Sequence, residues 1–231
     1  MSTPSHHFSD AEKRGLYRAI YERRDVRSQF LPDPIAPEIL AKLLKAAHHA
    51  PSVGFMQPWD FMVIESREVR AAILAMFERE NQKAAERFEG ERKERYQGLK
   101  LQGILESPMN LCITCDRSRG GPHVLGRNSI VDTDLFSTCL AVQNLWLAAR
   151  AEGIGVGWVS ILDQDQLSAA LKLPEHVYPL AYLCLGYVSG FLDQPELEAK
   201  GWRSRLSLTE LVHCDGWGGS LAESPLLTAL E

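Results

Sequence analysis

Between residues 37 and 47, Ile39, Leu40, Leu43, Leu44 and Ala47 recur at spacings of three and four. That pattern predicts an amphipathic helix, opened by Pro37. Ser9-Asp10-Ala11-Glu12 has the form of a capping box and predicts an earlier helix running to about residue 24. Ser66 is placed to cap a helix that buries Val69, Ile73, Met76 and Phe77, and Asp163 with Gln166 opens another carrying Leu167 and Leu171. Apolar runs at 60–65, 109–115, 154–160 and 178–188 predict strands. The last is apolar on both faces and is therefore expected at the centre of the sheet. Residues 135–149 are apolar on nearly all sides, which puts that helix in the middle of a domain or in a subunit interface. The whole pattern describes one α+β domain over 1–231.

Two stretches depart from it. Residues 78–95 are dense in both charge signs and read as a solvated helix face that Gly90 interrupts. With the less charged 96–101, including Leu99, they are expected to form a flexible lid over about 78–101. Beyond residue 188 the chain loses core patterning. The tail, about 189–231 with a short helix near 208–213, is expected to wrap the body or a partner subunit.

Charge and composition narrow the function. The 231 residues carry a net charge of −5, which gives no electrostatic case for nucleic acid. No apolar run reaches the length of a membrane span, and the expected location is the cytoplasm. Five cysteines, an odd number, argue against a disulfide framework. Cys112 and Cys115 form a CxxC, but on a strand positions i and i+3 face opposite ways, so they read as buried small side chains and no metal is expected. Gly120-Gly121 lacks the GK[ST] of a phosphate loop, and Gly155 and Gly157 do not complete GxGxxG. Glycines inside a strand instead admit another backbone or a ring at close range.

Candidate chemistry lies in two segments. YERRDVRSQF at 21–30 places Arg23, Arg24 and Arg27 at a helix end, a forked-donor set suited to a phosphate, with Arg203 and Arg205 available from the tail. AAHHAPSVGFMQPWDF at 46–61 passes from helix through the loop Pro51-Ser52-Val53-Gly54 to Gln57-Pro58-Trp59 and a strand. The amides of Ser52–Gly54 and the Gln57 side chain suit the polar edge of a flat ligand. From residues alone the chain binds a phosphorylated planar molecule. Asp25 is either a base or an ion-pair partner of Arg24 or Arg27.

These segments resemble the nitroreductase-like flavoproteins. Together with ITCDRSRGG at 113–121, VQNLWLAARAEGIGVGWVSI at 142–161 and KGWRSRL at 200–206, they look like the 5,6-dimethylbenzimidazole synthases, flavin destructases within that group. Asp25 replaces the serine of the usual RRS, and Phe55 stands where ordinary nitroreductases carry Asn. The resemblance implies a three-layer sandwich with a central mixed or antiparallel sheet, a domain-swapped C-terminal arm, and a homodimer with shared active sites. It implies that FMN is held by Arg23, Arg24, Asp25, Val26, Arg27, Pro51, Ser52, Val53, Gly54, Gln57, Leu99, Trp158, Val159, Ser160, Arg203 and Arg205. It makes reduced FMN the substrate, molecular oxygen the oxidant, and Asp25 and Ser160 the catalytic residues. A separate flavin reductase would supply the reduced FMN. Two other readings remain: an NAD(P)H-dependent nitro- or quinone reductase that retains its FMN, and a flavin-binding module without chemistry.

Overall fold

The computed structural model describes residues 6–220 and 224–230. Among these described residues, eight α-helices and four strands follow one another as α1 (Asp10–Glu22), α2 (Pro37–His48), β1 (Trp59–Ile64), α3 (Arg67–Ala85), α4 (Gly90–Gln97), β2 (Met109–Asp116), α5 (Thr133–Ala151), β3 (Ile154–Val159), α6 (Gln164–Ala170), β4 (Val177–Tyr187), α7 (Glu196–Ala199) and α8 (Pro225–Leu230). The expected caps are present. Ser9 and Glu12 close a reciprocal capping box, Pro37 occupies the first turn of α2, and the Ser66 side chain accepts from the Val69 amide. The Asp163 carboxylate accepts from the Gln166 amide at 2.9 Å, so Asp163→Ala should cost about 1 kcal/mol and lower the melting temperature by about 2–4 °C in a thermal scan.

The strands form one antiparallel sheet in the order β1-β2-β4-β3. Strand alternation sorts side chains into two cores. Leu111, Ile113, Ala181, Leu183 and Leu185 face α2 and α5, while Cys112, Tyr182 and Cys184 face α3 and α6. The result is a helix–sheet–helix sandwich, with β4 in the interior of the sheet as its sequence requires. Cys112 and Cys115 lie on opposite faces, both buried, and burial pushes both thiols up, to about 12 and about 11. Among the described residues no His, Cys, Asp and Glu side chains are grouped to hold a metal, and no helix is long and apolar enough to cross a membrane.

Helix α5 is buried along Ala141, Val142, Leu145 and Ala149, yet it leaves an outward stripe of Phe136, Cys139 and Leu140, with Phe136 56% and Leu140 45% exposed. Within one chain this helix is therefore central on one side and uncovered on the other. The lid stretch is helical on both sides of a break at 86–89, where Gly90 takes φ +53° to start α4. After β4 the chain makes α7, a single 3-10 turn at Leu208–Glu210 in place of the helix expected near 208–213, and α8. Part of the expected arm, residues 221–223 and 231, lies outside the described residues.

Candidate active site

Helix α1 ends at Arg23, whose φ and ψ of −61° and 136° send the chain out as an extended segment. That segment lays itself along the free edge of β3. Asp25 bridges Val156 in parallel, and the Val26 amide donates to the Val156 carbonyl at 3.0 Å. The contact needs the strand glycines: a Cβ on Gly157 would drive into the Val26 carbonyl, and one on Gly155 into the side chains of Val26 and Val188. The backbone approach expected of those glycines is this one.

Asp25 is held from two sides. Its Oδ1 accepts from the Trp158 amide at 3.0 Å and its Oδ2 pairs with the Arg27 guanidinium, which makes Arg27, not Arg24, its ion-pair partner. Burial raises its pKa above the ordinary Asp value, against the pull of Arg27 and the Trp158 amide. Ser160 lies two residues beyond Trp158, exposed, just past the end of β3. Trp158, Val159 and Ser160 share a cavity of about 140 Å³ with Tyr182. The Asp25 carboxylate thus reaches the Trp158 amide, two residues before Ser160, but Asp25 and Ser160 line different cavities.

The arginines divide their work. Arg24 donates to the carbonyls of Tyr21 and Arg23, both at 2.8 Å, and to that of Asp193, clamping the end of α1 to the segment after β4. Arg23 lies over the Trp146 ring at 4.8 Å, and burial lowers its pKa. Arg23, Arg24, Arg27 and Arg205 line one cavity of about 210 Å³ together with Asp25 and Glu196. Arg203 lines a different cavity, with Arg92, Arg95 and Trp202. The tail therefore supplies Arg205 to the cluster. Leu99 is half-buried directly after α4.

The loop 51–57 is built as tightly. Ser52 Oγ accepts from the Gln57 amide at 3.1 Å, and the Val53 amide donates to Ser137 Oγ on α5 at 3.1 Å. Gly54 takes φ +58° with its α-carbon so close to the Val124–Leu125 backbone and side chain that a Cβ would meet Val124 Cγ1 at 2.6 Å. Arg119 holds the exit of the loop, donating to the carbonyls of Gln57 and Trp59 at 3.0 Å each and pairing with both Asp60 oxygens. Sequence reasoning gave Arg119 no role. The available signal was the second arginine of Asp116-Arg117-Ser118-Arg119, and nothing in the spacing points back to Gln57. His48 and His49 serve structure: His48 accepts from the Trp59 indole at 3.1 Å and His49 bonds the Lys45 carbonyl.

One chain does not bring the two segments together. The loop feeds β1, at one edge of the sheet, whereas the Arg23–Arg27 segment adds beyond β3 at the other. Four strand spacings separate them, roughly 19 Å at about 4.8 Å each.

The sequence pattern of the Nitroreductase family matches residues 20–187, which covers both segments and the whole sheet. The chain belongs to the nitroreductase family. Within it, the chain is 42% identical over 198 residues to the 5,6-dimethylbenzimidazole synthase of Rhodospirillum rubrum, spanning 86% of this chain and 93% of that one. It is 38% identical to the 5,6-dimethylbenzimidazole synthase of Rhodobacter capsulatus, over 86% and 96% of the two chains. Among solved structures, an oxidised iodotyrosine deiodinase bound to FMN and 3-iodo-L-tyrosine superposes with a TM-score of 0.66 at 23% identity, covering 83% of this chain and 96% of that one. That last likeness concerns the nitroreductase fold, and it agrees with the antiparallel sheet between helical layers.

Proposed function

We propose that the protein is a 5,6-dimethylbenzimidazole synthase that cleaves reduced FMN with molecular oxygen to 5,6-dimethylbenzimidazole and D-erythrose 4-phosphate, with the pyrimidine part of the ring leaving as a third, oxidised fragment; the benzimidazole is the lower ligand of vitamin B12. The reading rests on the 35–42% identity to three synthases of that name over 86% of the chain. The residues fit a flavin phosphate: four guanidinium groups line one cavity, and Arg27 Nε is buried without a hydrogen-bond partner.

Each side chain then has a physical task. Arg23, Arg27 and Arg205 hold the phosphate and so fix the ribityl chain against the ring, while Arg24 keeps α1 and the tail in register. The bound flavin supplies the electrons that reduce oxygen. Asp25 is positioned by the Trp158 amide and takes a hydrogen from the ribityl C1′ region as a proton. The Ser160 hydroxyl, at the end of the same strand, orients the polar flavin edge.

The ring-edge donors come from the second copy. A C2 homodimer that covers the Phe136–Leu140 stripe sets the partner's 51–57 loop over the Arg23–Arg27 segment, so that each site is shared. The reduced flavin arrives from a separate flavin reductase.

The test is a single-turnover assay in which protein is mixed anaerobically with excess reduced FMN, oxygen is admitted, and products are separated chromatographically. Irreversible flavin loss with a matching amount of benzimidazole is expected. Full recovery of oxidised FMN would overturn the proposal.

A further inference from the structure

The arginine cavity already contains an anion that its task does not explain. Glu196, the first residue of α7, has a side chain only 12% exposed, and its carboxylate lies 3.9 Å from Arg27 Nη1, too far for a hydrogen bond. Its Oε2 is buried with no hydrogen-bond partner, as is Arg27 Nε. Buried charged atoms left without a hydrogen bond are uncommon in folded proteins, and each calls for an explanation. The short unit 196–202 also reaches the lid. The Lys200 amide donates to the Glu196 carbonyl at 2.9 Å and the Trp202 amide to the Leu197 carbonyl at 2.8 Å, so Trp202 is tied to α7. The Trp202 indole packs among Phe88 at 5.3 Å and Tyr96 at 5.9 Å, with the Arg92 guanidinium 5.2 Å above its ring. Arg95 of α4 donates to the Gly201 carbonyl at 2.6 Å.

We infer that Glu196 is a specificity-determining residue, an internal anion that a phosphate monoester must displace from Arg27, and that the displacement moves the α7–Trp202 unit against the lid. The inference rests on the reading of this cavity as the flavin phosphate site. A singly charged ligand that replaces the carboxylate gains no charge interaction, whereas a dianion gains one and repels the carboxylate as it enters. Glu196 thereby favours doubly charged phosphate esters over singly charged anions. A flavin without a phosphate leaves Glu196 in place, and the lid does not respond.

The experiment compares wild type, Glu196→Gln and Trp202→Ala. Binding of oxidised FMN and of riboflavin is followed by flavin fluorescence, and amide hydrogen exchange is read over 88–97. In wild type, FMN and not riboflavin should alter exchange in that stretch. Glu196→Gln should bind FMN about tenfold more tightly with riboflavin unchanged, and its lid exchange without flavin should approach that of the FMN complex. Trp202→Ala, which keeps Glu196, should bind FMN as wild type does and lose the lid response. Equal FMN affinity in wild type and Glu196→Gln would overturn the displacement, and a lid response surviving in Trp202→Ala would overturn the coupling. Wild type that binds neither flavin would instead overturn the phosphate-site reading on which both depend.

Discussion

Asp25→Asn should lower benzimidazole formation in single turnover by about 100-fold or more, with FMN affinity within a few-fold of wild type. The amide oxygen of Asn can still accept from the Trp158 amide that now meets Oδ1, so the segment keeps its place on β3. What disappears is the basic oxygen, and with it the ion pair to Arg27. The loss should appear in the chemical step, and titration with oxidised FMN separates it from a binding defect. The pH profile gives a second check. Burial raises the Asp25 pKa, and a base works only when ionised, so wild-type turnover should rise with pH through a value above the ordinary Asp range and fall away below it. In Asp25→Asn that acid limb should be absent from the residual rate. A residual rate that keeps the same limb would assign the proton to another group.

The second large effect is steric and falls far from any charge. Gly157→Ala forces a methyl group into the Val26 carbonyl, where no side chain can rotate away. Overpacking of this kind costs about 1–3 kcal/mol, and a drop of about 2–12 °C in melting temperature is expected. The damage should exceed the stability loss. The bridge from Asp25 to Val156 fixes the Asp25 carboxylate and the neighbouring arginines, so FMN binding should weaken by an order of magnitude or more even at temperatures where the variant is folded. A variant that melts early but binds FMN normally would show that the segment finds its place without the bridge.

Much of the fold could be read from local chemistry. The Ser9 capping box, Pro37 at a helix start, the Asp163 cap and the two-residue alternation of 109–115 each act over a few residues, and each is realised. The strand glycines were legible in kind, because a strand spends two glycines only where something must come close. Their partner was not, since Val26 lies 131 residues earlier than Gly157 in the chain. The arginine-rich segment and the APSVG loop were visible as two unusual stretches, and the family resemblance joined them on one ligand. Strand order alone could reveal that they sit at opposite edges of the sheet, and strand order is a property of long-range pairing that no local pattern encodes. The arginines show the same limit. Three in five residues read as a phosphate clamp, yet Arg24 spends its donors on carbonyls, one of them from Asp193. Glu196 was illegible for the opposite reason: one acid in a charged tail carries no pattern until the fold buries it beside Arg27.

The opposite-edge placement has a genetic consequence. If each site takes its arginines from one copy and its ring-edge loop from the other, activity belongs to the pair and not to the chain. Two defective alleles, one altered in the arginine segment and one in the loop, would restore each other: every mixed pair contains one site with both defects and one site with neither. Two alleles altered in the same segment would never do so. Inheritance in such a gene would then follow sheet edges, with lesions sorting into two complementation groups within a single reading frame.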